Sequence, residues 1–447
     1  MRVPGTVIAV SALCLVGVAP GAGATAMSAT AGGPVSAAYY SSGYSAPQAK
    51  SPAGMRRYLS TMHPSFDLQS YVFYGSLVEP NGHTNTFSLM MQQSNRVVAE
   101  VPTLSFAVEG VMFNGGSGFT VGGVEGVPEY TVPLSLTSRP WSARAQTFAF
   151  GDEPQFVDAR VVEGQLGERG SIYEFTADVT GQDVDTEETY PFSVYVRVKD
   201  MTGNVQWGYG PSGFFPQWIY SAQRHAIMSK DGGSVEHYLT RTEDPMRGQG
   251  DYYYSSPLLQ VQKFVVSRNH KVVSRGLDGT IWFDTVTQSF GPKGTAVVDN
   301  GVRWMEFALQ LPDTAQALKI GRVTQKSVGS LPYAIMVSGD GATARNGTIV
   351  PSSRWDIGDI HITPVKSSLW TSPKTGERYY MKYKVRLEGK TPATSAHLVV
   401  TAAFNNQELV LSKARTVYEG LFNFTGTVNG KSVSGSGWGE IQPADSL

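Results

Sequence analysis

The sequence contains a single cysteine, Cys14, among 447 residues. No disulfide can form within one chain, and this inventory excludes thiol catalysis and cysteine-based zinc or iron–sulfur sites. Charged residues make up only 16% of the chain, below the usual quarter, and the formal net charge is −1. So small a net charge gives no long-range field, which argues against nucleic acid or an anionic membrane as the partner.

Several functional motifs are also missing, among them the G-x-G-x-x-G dinucleotide loop and the G-x-S-x-G nucleophile elbow. The tripeptide at 430–432 resembles the end of a P-loop, but Thr425 stands where that motif needs glycine. The histidines have no metal-site spacing; His225 and His237 flank an expected hairpin, and surface positions are the better interpretation. The acidic run at 178–188 lacks the glycine of a calcium loop and is interpreted as solvated. The sequence therefore predicts no metal and no cofactor.

Long amphipathic helices are missing too, because no window longer than about a dozen residues has the helical period. Short segments rich in β-branched and aromatic residues recur instead. Residues 192–198, for example, alternate apolar and polar side chains as a half-buried strand does. Such strands, separated by turns rich in glycine and proline, are typical of sandwiches and barrels. The sequence predicts an all-β protein.

The length suits two domains rather than one. A polar stretch with proline and glycine at 244–250 is the expected boundary, which gives an N-terminal β domain at 55–246 and a C-terminal β domain at 251–441. The composition of residues 27–54, rich in Ala, Ser, Gly and Pro, predicts a disordered leader.

The first 26 residues have the pattern of a signal peptide: a basic Met1-Arg2 start, an apolar run and small residues at the cleavage region. We expect an exported protein, secreted or in the cell envelope, if this segment is a true signal. If translation starts at Met27 or Met55 instead, the protein is cytoplasmic. No other stretch is long and apolar enough to span a bilayer, so no integral membrane segment is expected.

The C-terminal residues 417–441 predict a hairpin. Asn429-Gly430 is the strongest short hairpin signal, since both residues tolerate positive φ. In the second arm Trp438 is flanked by glycines and followed by Glu440, which suggests a strand that another backbone approaches closely.

Together with four other blocks, this hairpin resembles the hydroxyneurosporene-synthase-like proteins (carotenoid 1,2-hydratase, AttH-like). The blocks are 252–257 (YYYSSP), 279–284 (GTIWFD), 304–311 (WMEFALQL) and 407–409 (QEL). The resemblance covers 252–441, and the N-terminal half does not visibly match. One departure is the neutral stretch at 285–287, where the family usually carries a charged residue. With this resemblance, the expected architecture is two tandem β domains, each a lipocalin-like barrel or a β-sandwich, with a hydrophobic cavity in or between them.

Three Trp-x-acid pairs stand in the strands of this region: Trp282 with Asp284, Trp304 with Glu306, and Trp438 with Glu440. Residues i and i+2 of a strand share a face. If that face lines an apolar pocket, desolvation raises the pKa of the carboxyl group and makes it a possible acid. The alternative is that each acid lies at a strand end, bound to a neighbour or to water.

The resemblance implies a cofactor-independent enzyme acting on a long hydrophobic substrate. Family members hydrate isolated double bonds of carotenoids, and related members are cyclases, including Diels–Alder-type cyclases of polyketide and antibiotic pathways. Asp284 is the expected acid or hydrogen-bond donor, with Glu306 and Glu440 as further candidates. The expected pocket residues are Trp282, Trp304, Tyr253, Tyr418, Trp438 and Trp218. The alternative is a secreted carrier of hydrophobic molecules without catalysis.

Overall fold

The computed structural model describes residues 68–98, 101–114, 119–122, 130–133, 141–142, 147–150, 156–183, 189–207, 214–216, 250–289, 302–311, 315–325, 329–343, 348–355, 357–389, 395–405, 407–412 and 415–444. The expected signal peptide, the expected leader, Trp218 and the two histidines at 225 and 237 lie outside these ranges. Within them, no helix has the length and apolar character needed to cross a membrane.

The predicted all-β class is confirmed, because the described chain is built from antiparallel strands in two large sheets. Two helical segments among the described residues, Ile357–Asp359 and Lys366–Ser368, are single 3-10 turns. The hydrophobic cavity expected in or between the domains is not shown and stays a prediction.

The first sheet has fifteen strands. They are β1 (Leu68–Val78), β2 (Thr84–Val98), β3 (Val101–Asn114), β4 (Phe119–Gly122), β5 (Tyr130–Pro133), β6 (Trp141–Ser142), β7 (Thr147–Phe150), β8 (Phe156–Glu163), β9 (Ile172–Asp183), β10 (Thr189–Asp200), β11 (Val205–Gln206), β12 (Phe214–Pro216), β13 (Gly250–Arg268), β14 (Lys271–Gly276) and β15 (Asp278–Ser289).

This sheet curls on itself. Its strand order begins β10-β13-β15-β1-β2-β3-β4-β9, and β10 also pairs with β9, so the hydrogen-bonded path closes through eight strands. Each strand on this closed path has a partner on both sides, and the sheet continues from β9 through β8 and β7 to β6. Inside lie aromatic rings such as Phe73, which stacks on Phe283 at 4.5 Å and contacts Phe175 at 4.2 Å between centroids.

The second sheet has ten strands in the order β19-β18-β17-β16-β27-β26-β24-β23-β20, with β25 paired to β26. They are β16 (Val302–Leu311), β17 (Gln316–Gln325), β18 (Gly329–Ser338), β19 (Ser353–Arg354), β20 (Ile360–Pro364), β23 (Lys382–Leu387), β24 (Ala396–Ala402), β25 (Glu408–Ser412), β26 (Arg415–Val428) and β27 (Lys431–Ile441). A separate small sheet pairs β21 (Leu369–Thr371) with β22 (Arg378–Tyr380).

Strand β16 explains how the two sheets meet. Met305, Phe307 and Leu309 point into the apolar core of the second sheet and are fully buried. The alternate side chains, Glu306 and Gln310, are also buried, although they lie on the opposite face. This second face packs against the first sheet, where the Gln310 Nε2 donates a 2.8 Å hydrogen bond to the Pro257 carbonyl. Strand β16 is therefore buried on both faces, and its polar side chains Glu306 and Gln310 lie between the two sheets.

The division between the sheets falls between β15 and β16, at residues 290–301, because β13, β14 and β15 all pair within the first sheet. The domain boundary expected at 244–250 was placed before these three strands. The domain boundary at 244–250 stays a prediction. The change from the first sheet to the second comes later in the chain, after β13, β14 and β15.

The predicted C-terminal hairpin is confirmed. Strands β26 and β27 pair from Tyr418↔Ile441 to Val428↔Lys431, which leaves Asn429 and Gly430 as a two-residue loop with φ of 51° and 75°. The close backbone approach is confirmed as well, since a Cβ on Gly437 would collide with the Ala308 carbonyl of β16.

Candidate active site between the two sheets

Asp284 lies at the centre of a buried polar cluster and has no exposed surface. Its Oδ2 accepts hydrogen bonds from the hydroxyl groups of Tyr74, at 2.6 Å, and of Tyr253. Its Oδ1 accepts from the Trp282 Nε1, at 2.6 Å, and from the Ser255 hydroxyl. With four donors on its two oxygen atoms, Asp284 is held firmly in place as a hydrogen-bond acceptor.

Strand register brings these residues together from distant parts of the sequence. Asp284 of β15 lies opposite Val72 of β1 on one side and Ser255 of β13 on the other. Tyr74 lies opposite Trp282, two residues further along. Directly opposed residues, and those two apart, share one face of a sheet. The closed first sheet therefore presents its acceptor and its donors together on the face turned towards the second sheet.

Lys319 of β17 reaches this cluster from the second sheet. Its Nζ lies 2.9 Å from the Glu306 Oε1 and 3.5 Å from the Asp284 Oδ2, and it also donates to the Tyr253 hydroxyl. The same ammonium lies 4.0 Å from the centroid of the Tyr253 ring. Because the Lys319 side chain is only 4% exposed, a single buried cation holds two carboxylates on different sheets.

Glu306 of β16 has a displaced pKa. Burial raises the pKa of Glu306, the Lys319 charge opposes that rise, and the Asp284 charge adds to it. The Tyr333 hydroxyl donates to its Oε2, and burial raises the pKa of Tyr333 well above its ordinary value. Burial thus favours the protonated form of Glu306 over the charged form, which makes this group a candidate proton donor.

Glu440 of β27 lies on the same face of the second sheet as Glu306, on the neighbouring strand. It is opposite Glu306 on one side and Glu419 of β26 on the other, and all three are at most 4% exposed. Trp438 contacts both sheets at this point. Its Nε1 donates a 3.3 Å hydrogen bond to the Glu419 Oε1 of the second sheet, and its ring centroid lies 5.2 Å from that of Tyr74 of the first. Glu440 itself contributes to the raised pKa of Tyr74 and of Tyr333.

Of the site residues expected from the sequence, the structure brings together Asp284, Glu306, Trp282, Tyr253, Trp438 and Glu440. Tyr418 is placed elsewhere: it lies in the core on the opposite face of the second sheet, where its hydroxyl donates to the Phe404 carbonyl. Trp304 belongs to β16, but its side chain is not described, and Trp218 lies outside the described residues.

Sequence reasoning missed Tyr74, Ser255, Lys319, Tyr333 and Glu419. Ser255 belongs to the tyrosine-rich block at 252–257, which the family resemblance had already indicated. Lys319 carries the clearest missed signal, because a lysine between the apolar residues Leu318 and Ile320 of a buried strand needs a partner. Tyr74 and Tyr333 carry no such signal, since tyrosines are frequent in ordinary strands.

Comparisons with known proteins show the fold. No protein-family model and no curated protein matches the sequence. Among solved structures, a Nitrosomonas europaea protein assigned as AttH matches with a TM-score of 0.54 and 16% identity, over 86% of this chain and 94% of that chain. Kievitone hydratase from Nectria haematococca matches with a TM-score of 0.46 and 14% identity, over 84% of this chain and 89% of that chain. The first likeness establishes the AttH-like fold that the sequence resemblance implied, and its low identity carries nothing about activity.

The chemistry available here is proton transfer in a place from which water is largely excluded. At the centre of the cluster, the Lys319 ammonium lies between the carboxyl groups of Asp284 and Glu306, and these accept from four phenol or indole donors, Tyr74, Tyr253, Trp282 and Tyr333. Tyr253, at 6%, and Tyr333, at 8%, are the most exposed of these residues, so the cluster comes nearest to solvent on their side. Among the described residues, no group of three or more His, Cys, Asp or Glu side chains is arranged to hold a metal ion.

Proposed function

We propose that this chain is a cofactor-independent hydratase that adds water to an isolated double bond of a long hydrophobic substrate, such as a polyene. The observation that supports it is the burial of the Glu306 carboxyl group beside Asp284 among aromatic side chains, which raises the pKa of Glu306 although Lys319 opposes that rise. Protonation of an alkene needs an acid that keeps its proton near neutral pH, and it needs a site that excludes competing bases.

In the proposed reaction Glu306 donates its proton to one carbon of the double bond. A water molecule then adds to the other carbon and releases a proton, which returns to Glu306, so that alkene and water give an alcohol and the acid is restored. The faces of Trp282 and Trp438 would stabilise the cationic intermediate, as aromatic rings do for cations. Asp284, saturated with hydrogen bonds, holds Lys319 and Tyr253 in place. This assignment moves the acid from Asp284, the first expectation from the sequence, to Glu306.

Cyclisation of a polyketide is the alternative that the sequence resemblance implies. It would use Tyr253 and Lys319 as donors to a substrate carbonyl, and most of its rate would come from orientation of the substrate. Binding without turnover is the other alternative. The three differ in the fate of the ligand: hydration adds one water molecule, cyclisation leaves the mass unchanged with a new structure, and a carrier returns the ligand unaltered.

The test is incubation of the purified full chain with an acyclic polyene in detergent, in water enriched in heavy oxygen, followed by mass spectrometry of the extract. Hydration predicts a product heavier by one labelled water. General acids typically contribute 10²–10⁴-fold, so Glu306→Gln should lower the rate by about 100-fold or more. An isomer of unchanged mass would replace hydration by cyclisation, and an unaltered polyene that co-purifies with the protein would favour a carrier.

Asp200→Asn is the matched control variant. Asp200 has no exposed surface and accepts hydrogen bonds from the Tyr173 hydroxyl at 2.9 Å and from the backbone N–H of Gly203 at 2.6 Å. It therefore resembles Asp284 in burial and bonding but none of these partners belongs to the cluster. Activity per folded molecule should be unchanged in Asp200→Asn and reduced in Asp284→Asn.

A further inference from the structure

The hairpin formed by β13 and β14 exposes apolar side chains at one place. Val272 is 56% exposed, Val273 52% and Leu277 73%. The described residues contain six exposed large apolar side chains, and these three lie within six consecutive positions. Single exposed apolar residues are ordinary on a protein surface, whereas a cluster marks a candidate contact region.

Backbone geometry accounts for the exposure of both valines. Ser267 pairs with Val272 and Val266 with Ser274, so Val273 is an extra residue in a β-bulge. A bulge re-aims side chains and is a regular device at sheet edges. The base of the hairpin is fixed, because Ser274 is buried and a Cβ on Gly276 would collide with the Val78 carbonyl of β1. The apolar side chains therefore stand on a firmly anchored strand.

Positive charge surrounds this apolar cluster. Residues 263–277 contain four cationic side chains, Lys263, Arg268, Lys271 and Arg275, and no carboxylate, although the whole chain has a net charge of −1. Lys263, Lys271 and Arg275 are exposed, and Arg268 stacks on the Tyr190 ring at 3.9 Å. Two acidic residues lie at the base of the hairpin. Asp278 follows Leu277 in the sequence, and Glu79 accepts a hydrogen bond from the Ser274 hydroxyl.

We infer that this hairpin docks on an anionic lipid surface. Exposed aliphatic side chains beside lysine and arginine fit the boundary between headgroups and acyl chains, and juxtaposed cations are attracted by anionic lipids. A protein partner fits less well, because stable protein interfaces use roughly 20–30 residues a side. The net charge of the whole chain argues against an anionic membrane, but this average conceals the four cationic side chains at 263–277. The inference is independent of the proposed enzymatic function.

The first experiment measures co-sedimentation of the full chain with vesicles of phosphatidylcholine alone or mixed with phosphatidylglycerol. Binding is expected only to the anionic vesicles and should weaken with salt. Removing Lys271 and Arg275 as Lys271→Gln and Arg275→Gln should weaken binding about fivefold for each cation. Replacing Val272, Val273 and Leu277 by Ser should weaken it roughly tenfold or more. Val350→Ser with Leu369→Ser is the matched control, since these side chains are 42% and 38% exposed elsewhere.

The second experiment localises the contact, because the apolar N-terminal residues 3–18 could also bind lipid. An environment-sensitive thiol dye is attached to Val273→Cys in a Cys14→Ser background, with Leu369→Cys as the control position. A blue shift on adding anionic vesicles at position 273, and none at 369, supports the inference. An unchanged spectrum at 273 overturns it, as does vesicle binding that the Ser replacements leave intact. A shift that appears without vesicles and grows with protein concentration would also overturn it and identify a second copy as the occupant.

Discussion

The indole Nε1 of Trp282 donates a 2.6 Å hydrogen bond to the carboxylate of Asp284, two residues later on β15. Both side chains are buried on the same face, and the Trp282 ring stacks on that of Trp207 at 5.4 Å. The pair thus couples the aromatic wall to the polar cluster. Its geometry follows from the alternation of side chains in a strand, which brings residues i and i+2 to the same face.

Trp282→Phe should destabilise the protein more than Trp207→Phe. Both changes remove part of a buried, stacked indole, but only Trp282 donates to a carboxylate; among the described residues, the Nε1 of Trp207 has no hydrogen-bond partner. A hydrogen bond to a charged group contributes about 1.5–3 kcal/mol, and this is the expected difference between the two variants. Urea unfolding followed by circular dichroism measures it. Equal losses would show that the Trp282–Asp284 bond contributes nothing net.

Lys319→Met should cost about 3–5 kcal/mol of unfolding free energy, because removing one partner leaves buried charges without compensation. Its side chain is 4% exposed and lies 2.9 Å from the Glu306 carboxylate. Lys384→Met, at an exposed position of β23, is the matched control and should change stability by no more than about 0.5 kcal/mol. Chemical denaturation of both variants gives the comparison.

The same lysine permits a double-mutant cycle with Glu306→Gln. At a pH above the raised pKa of Glu306, where this group is ionised, Glu306→Gln removes one of the two carboxylates that Lys319 compensates, so the double variant should lose less than the sum of the two single losses. Coupled neighbours typically differ from additivity by about 0.5–3 kcal/mol. Additive losses would mean that the 2.9 Å ion pair carries no coupling energy.

Local patterns in the sequence were sufficient for the strands and for part of the site. The Asn429-Gly430 loop, the all-β class and the shared face of Trp282 and Asp284 follow from rules that span two to ten residues. The Trp-x-acid pattern also led to Glu306 and Glu440, which the structure places beside each other on β16 and β27.

The rest depended on pairing between distant strands. Tyr74 meets Asp284 because β1 pairs with β15, across 210 residues of sequence. Lys319 arrives from a different sheet, and no periodicity within β17 indicates which side chain its ammonium will meet. The face of Tyr418 shows the same limit: it is adjacent to Glu419, yet alternation sends it to the opposite side of β26. Knowing that a strand alternates does not reveal which of its faces meets the other sheet.

Gly437→Ala should destabilise the protein severely, because a Cβ at this position would collide with the backbone carbonyl of Ala308 on the neighbouring strand β16. Backbone cannot yield as a flexible side chain does, so we expect a loss at or above the upper end of the roughly 1–3 kcal/mol that overpacking usually costs. Gly430→Ala is the matched control. Its Cβ would meet nothing within 4 Å, and only the positive φ of 75° opposes the change, at about 1–2 kcal/mol. Thermal unfolding of the two variants should rank Gly437→Ala as the less stable, and the reverse order would contradict the close approach of β16 and β27.

Glu306 should make stability fall as pH rises. Burial raises its pKa above the ordinary value of 4.5, with Lys319 opposing and Asp284 reinforcing the shift. Between 4.5 and the raised pKa the folded state therefore binds more protons than the unfolded state, and stability declines across that window. Relative to Glu306→Gln, the wild type should lose unfolding free energy as pH increases from 4.5.

Glu174 is the control with the opposite sign: burial raises its pKa, but the hydrogen bonds from Arg160, Tyr195 and Arg197 outweigh burial and lower it. Relative to Glu174→Gln, the wild type should lose stability as pH falls below 4.5. Urea unfolding of the three proteins over a pH series measures both slopes. Slopes of the same sign would show that Glu306 is ionised throughout, and the proposed proton donor would then have to be another group of the cluster.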